Sequence, residues 1–175
     1  MGLTQLVGIK GIRVKRGLRG EAAFSADGLY RYALLRRWAP DGRIACYIMM
    51  NSSTADHDND DMTIRKDMGF SVKLGCNALL AVNLGAYITK DPRKLLKAAD
   101  PIGPLNGFVL RAAAMVSDLM IVAWGALPER LWERFQPSVE IVKSMKGLKC
   151  LGRTKSGAPH HPSRIAYKTP LENWP

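Results

Sequence analysis

Histidine is scarce in this chain. There are three in 175 residues, and two of them, His160 and His161, stand side by side in a loop-like segment, GAPHHPS. Cysteine is as scarce. Cys46, Cys76 and Cys150 are odd in number and far apart, which excludes a disulfide framework and a four-thiolate metal site. Two lie in apolar runs (IACYIMM and GLKCLG) and read as buried thiols in a reducing compartment. No stretch approaches the roughly 18 apolar residues of a membrane span. No secretory signal is visible, and Leu6 stands where a myristoylation signal wants Ser or Thr. A cytoplasmic location is expected. Acidic side chains are also few: 15 Asp and Glu against 26 Lys and Arg, a net charge of +11. In one domain that excess favours a polyanionic partner, nucleic acid before an anionic membrane; the plainer alternative is a merely basic protein.

The length fits one domain with a proper core. Residues 1–20 carry Lys10, Arg13, Lys15, Arg16 and Arg19 with no acid and recurrent glycine. They read as a basic arm or loose strand preceding a single domain over 21–175. Asp27-Gly28 between apolar flanks is a hairpin signal. Four short apolar runs follow, RIACYIMMN, NALLAVNL, DLMIVAWGA and LKCLG, separated by segments of helical spacing that include DDMTIRKDMGFSVKLG, GPLNGFVLRAAAMVS and LPERLWERFQPSVEIVKSMKG. Strands alternating with helices predict a three-layer α/β/α domain around a four-stranded parallel sheet, plus the N-terminal hairpin. In such sheets ligands sit beyond the carboxyl ends of the strands. Asn51, Asn83, Trp124 and His161 occupy those four ends.

Each candidate has an ordinary role open to it. Asn51 before Ser52, Ser53 and Thr54 suits a turn or helix cap. Asn83 inside an apolar strand must be satisfied by backbone or aimed at a ligand. The acidic run DHDNDD (56–61) lacks the glycine and terminal glutamate of a calcium loop and reads better as a helix start. Phe70 and Trp124 suit core packing. The two adjacent histidines have no third ligand at metal spacing, so neither a metal nor any cofactor is expected. Together, two amides, an imidazole and an aromatic face suit a planar heterocycle, with surrounding cations for phosphates.

The runs MMNSSTADHDNDDMTIRKDMGF, VNLGAY, DPIGPLN, WGA and LGRTKSGAPHHPS resemble an uncharacterised bacterial and phage family whose signature reads Met-Asn-Pro-Ser-Thr-Ala-Asp, over roughly residues 24–170. Ser52 replaces the proline, which should loosen the loop around Asn51. More distantly, the order of motifs is similar to the uracil-DNA glycosylase superfamily. That resemblance implies a glycosylase-like fold and cleavage of the N-glycosidic bond of uracil or a 5-substituted pyrimidine in DNA. Asn51 would orient water, with Asp56 assisting. Phe70 would stack on the base and Asn83 read its edge. His161 would donate to the base oxygen. Ser53 and Ser163 would bind flanking phosphates, Arg164 or Ile165 would act as the wedge, and Lys10, Arg13, Lys15, Arg16 and Arg19 would add DNA affinity. Ser53-Thr54, in place of a bulky aromatic, implies room for a 5-substituent. A monomer is expected. The alternatives are a non-catalytic DNA-binding module and an enzyme acting on free nucleosides or nucleotides.

Overall fold

The protein is described by a computed structural model covering residues 2–175, apart from the side chain of Pro92. One sheet organises the described residues. Its strands are β1 (Ile12–Arg16), β2 (Glu21–Ser25), β3 (Arg31–Arg37), β4 (Ile44–Asn51), β5 (Ala78–Gly85), β6 (Leu119–Val122), β7 (Lys149–Cys150) and β8 (Glu172–Asn173), in the order β1-β2-β3-β5-β4-β6-β7-β8. Three pairings, β4 with β5, β4 with β6 and β6 with β7, are parallel; the other four are antiparallel. The sheet is therefore mixed and twice the size expected from the apolar runs. Those four runs do form its parallel block, but the hairpin strands continue that block rather than standing apart from it. At the other edge the two-residue β8 was too short to leave a periodic signal.

Among the described residues, six helices accompany the sheet: α1 (Leu3–Val7), α2 (Met62–Lys73), α3 (Pro92–Lys97), α4 (Asn106–Val116), α5 (Glu129–Arg134) and α6 (Gln136–Lys143). The chain steps from β4 through α2 to β5, then returns past β4 through α3 and α4 to β6. Right-handed crossovers put connections that run in opposite directions on opposite faces. The core divides accordingly. Ile64 and Phe70 of α2 pack with Tyr47, Leu79 and Ile121 on one face. Val109 and Leu110 of α4 and Val139 of α6 pack with Ile48, Leu80 and Val122 on the other. The strand order reverses between β4 and β6, so the crevice typical of open α/β sheets belongs at their carboxyl ends.

Within residues 2–20 the chain is built into the fold rather than detached from it. Helix α1 buries Leu3 and Val7, and β1 pairs with β2 from Ile12 to Arg16. Ile12-Arg13-Val14-Lys15 alternates as a strand does: Ile12 and Val14 pack against the α4-side core, while Arg13 and Lys15 are exposed. Recurrent glycine obscured that period. The three cysteines are free and buried, and no described helix is long and apolar enough to cross a membrane.

Candidate functional site

At the reversal point lies a cavity of about 190 Å³, lined among others by Met49, Asn51, Asp61, Trp124 and His161. At roughly 30 Å³ per water it holds about six waters. That is below the roughly 300 Å³ at which drug-sized sites begin, and suits a single ring.

Asn51 ends β4. Its Nδ2 donates to the Thr89 carbonyl at 2.7 Å and the Ser52 carbonyl at 2.9 Å. Both amide hydrogens are thus committed and the side chain is fixed, with Oδ1 left as its unused acceptor. At Ser52, where a looser loop was expected, the side chain is anchored on both sides. Ser52 is fully buried, donates through Oγ to the Arg31 carbonyl at 2.7 Å and accepts from Asn83 Nδ2 at 3.1 Å. The hydroxyl thereby ties the loop to β3 and β5.

His161 opens the 3-10 turn Pro162–Arg164 as its cap. The Ser163 backbone N–H donates to Nδ1 at 3.4 Å, and Ser163 Oγ lies 2.8 Å from the same nitrogen. With Nδ1 accepting, the neutral ring carries its proton on Nε2, a tautomer inferred from this network. Burial first, then the Arg164 charge, pulls the imidazole below its usual value, partly offset by Asp61. Ser163 therefore sets the histidine's tautomer, a contact that motif matching did not suggest.

Three expected site residues lie elsewhere. Asn83 is 1% exposed and does not line the cavity; it positions Ser52 through Nδ2, and its own carbonyl accepts from Asn106 Nδ2 at 2.9 Å. Phe70 is 2% exposed and packs on Tyr167 with ring centres 4.9 Å apart. Gly69 permits that contact, because any side chain there would collide with the Tyr167 hydroxyl. Asp56 closes its own loop. Burial pushes its carboxyl up, but the backbone N–H groups of Asp58 and Asn59 outweigh this and hold it below its usual value. The carboxylate that does share the cavity is Asp61, whose Oδ1 caps α2 by accepting from Ile64 N at 2.9 Å. Sequence reasoning assigned it only to the helix start.

In the same acidic run Asp60 pairs with the buried Arg36 at 2.6 Å. Ile165 packs half-buried against the α2-side core, so it is not a free wedge, whereas Ser163 and Arg164 are exposed. Ser53 lines the ring-sized cavity and also a neighbouring groove of about 450 Å³ that includes Arg13, Lys15, Phe24 and His57. Lys15 Nζ sits 5.5 Å from the Phe24 ring centre. The other cations differ: Lys10 is exposed, Arg16 pairs with Glu21 at 3.0 Å, and Arg19 approaches Asp60 at 3.9 Å.

Sequence reasoning also missed Arg31, Thr89 and Lys90 on the cavity wall. Nothing in the periodicity around Arg31 separates it from an ordinary strand-end cation.

Residues 31–163 match the family described as Protein of unknown function (DUF1643), and the chain belongs to that family. No curated protein and no solved structure matches the chain.

Proposed function

We propose that this member of the DUF1643 family hydrolyses the N-glycosidic bond of a pyrimidine nucleotide, uracil or a 5-substituted base, carried in DNA. One observation carries the reading: Asn51 and His161, far apart in the chain, share one ring-sized cavity and offer it complementary hydrogen-bonding groups. The resemblance of the motifs around Asn51 and His161 to uracil-DNA glycosylases points the same way. Phe70 and Asn83 take no direct part in it.

In this reading Asn51 Oδ1 accepts from a water and Asp61 takes that water's proton. The water oxygen forms the new bond to the sugar C1′ as the C1′–N bond breaks. The electron pair leaves with the base, where His161 Nε2–H donates to the oxygen on which negative charge grows, and solvent protonates the departing base. Trp124 and Met49 supply apolar walls. Arg13 and Lys15, in the groove that meets the cavity at Ser53, hold the flanking strand by charge and not by sequence.

The test is abasic-site formation on oligonucleotides bearing uracil, thymine or bulkier 5-substituted pyrimidines, beside the free nucleosides. Product from DNA is expected. Salt-sensitive binding without product would instead identify a binding module, and product from nucleosides alone a nucleoside hydrolase. Losing a preorganised donor of this kind costs about 2.7–4 kcal/mol of barrier, roughly 10²–10³ in rate. His161→Ala should therefore slow cleavage by that factor while changing DNA affinity less; equal losses would make His161 a binding residue only.

A further inference from the structure

Arg31 is a buried cation that the protein does not satisfy. It is 2% exposed and lines the cavity. Its guanidinium makes a single hydrogen bond among the described residues, from Nη1 to the Ala55 carbonyl. Nε is buried with no partner. No carboxylate stands at ion-pair distance among the described residues. Asp61, the carboxylate among the lining residues, acts on Arg31 by its charge without reaching ion-pair distance, and its Oδ1 caps α2. Burial draws the Arg31 pKa down to about 10, so the group is still charged at neutral pH. A buried charge with no ion-pair partner and one hydrogen bond is costly for a fold to carry.

The unused donors have a particular shape. With Nη1 taken, Nε and Nη2 remain, and these form the side-on fork that matches two oxygens of a carboxylate or phosphate. Around the same cavity stand Lys90, a second cation, and the hydroxyls of Ser53 and Thr63. Neither hydroxyl has a hydrogen bond to another described residue.

We infer that Arg31 is the receptor for an oxyanion carried by the substrate into this cavity, a phosphate group or an acidic substituent on the base. The inference deepens the hydrolase reading by stating what the substrate must bring, but binding does not require cleavage. A mononucleotide phosphate, an internal phosphodiester and a carboxylate on the ring offer the same oxygens to the fork, and the ligands tested separate them.

Titration calorimetry on the full chain, with inorganic phosphate, acetate, deoxyuridine, deoxyuridine 5′-monophosphate and a short uracil-containing oligonucleotide, gives the test. Inorganic phosphate should bind, and the monophosphate should bind at least tenfold more tightly than deoxyuridine. Arg31→Gln should erase that difference, Arg31→Lys should retain part of it, and Arg111→Gln, which removes an equal charge from α4, should leave it intact. Urea unfolding of Arg31→Gln checks that the variant is folded. A tighter oligonucleotide than monophosphate, lost in Arg31→Gln, assigns the oxygens to a phosphodiester; acetate binding without phosphate binding assigns them to a carboxylate. Equal affinity for nucleoside and monophosphate with no acetate binding, no anion binding at all, or anion binding unchanged in Arg31→Gln overturns the inference. Anion binding lost in Arg31→Gln, in a protein that releases no base from any substrate, would leave the inference standing and remove the hydrolase reading.

Discussion

Strand β3 carries two buried arginines, one near each end, and they are opposites. Arg36 is 1% exposed, and its donors are in use. Nε meets Asp60 Oδ1 at 2.6 Å, Nη1 donates to the Leu35 carbonyl at 3.1 Å, and Nη2 donates to the carbonyls of Asp56 and Asn59. Arg31 is as deeply buried and has one such bond. A buried charge with a full set of partners latches two segments together, here β3 to the loop before α2. A buried charge without them destabilises the fold unless something from outside completes it. The contrast sets an arginine whose nitrogens are all in use beside one whose nitrogens are not, without appeal to position in the sequence.

The comparison breaks most visibly at Arg36. Arg36→Met leaves Asp60, only 6% exposed at its side chain, without its partner, and frees the carbonyls of the 56–59 loop. Breaking a buried pair from one side costs about 3–5 kcal/mol, so the urea midpoint should fall by a large fraction of total stability. Loss of under about 1 kcal/mol would mean the latch is relaxed in solution. The same change at Arg31 should behave differently. Arg31→Met removes a desolvated charge and one hydrogen bond, so stability at pH 7 should stay within about 1 kcal/mol of the parent or rise. A loss comparable to that of Arg36→Met would show that Arg31 is held by contacts of equal worth, and would weaken its assignment as a receptor.

The readable parts of this fold are those with a local signal. The Asp27-Gly28 turn, the four apolar runs and the Asp61 cap of α2 each rest on nearest-neighbour chemistry, and each stands where the residues place it. Asn51 and His161 were legible because the ends of parallel strands meet at one rim. Asn83 and Phe70 were misplaced because type and spacing cannot say which side of a partner a side chain faces. Asn83 sits one layer beneath the cavity, behind Ser52, and Phe70 sits under Tyr167. Recurrent glycine around β1 hid its pairing, and the shortage of hydrogen-bond partners at Arg31 is not encoded in any local pattern.

Asp67 extends the comparison to an acid. It lies on the inner face of α2, fully buried, with neither carboxylate oxygen hydrogen-bonded. Burial, reinforced by Asp61, raises its pKa well above the usual value. Unlike arginine, an aspartate can shed its charge, so this site meets its desolvation by protonation. The sign follows from the raised folded value: the contribution to stability is fully present below the unfolded pKa of about 3.8 and is lost as pH rises through the folded pKa. Asp67→Asn keeps the shape and removes the titration. The two proteins should match within about 1 kcal/mol in acid, where both side chains are neutral. Urea unfolding from pH 5 to pH 9 should then show the parent losing stability relative to the variant as pH rises. Parallel curves across that range would mean that the carboxyl finds a partner or water on ionising, and that the unsatisfied charge on this side of the sheet is confined to Arg31.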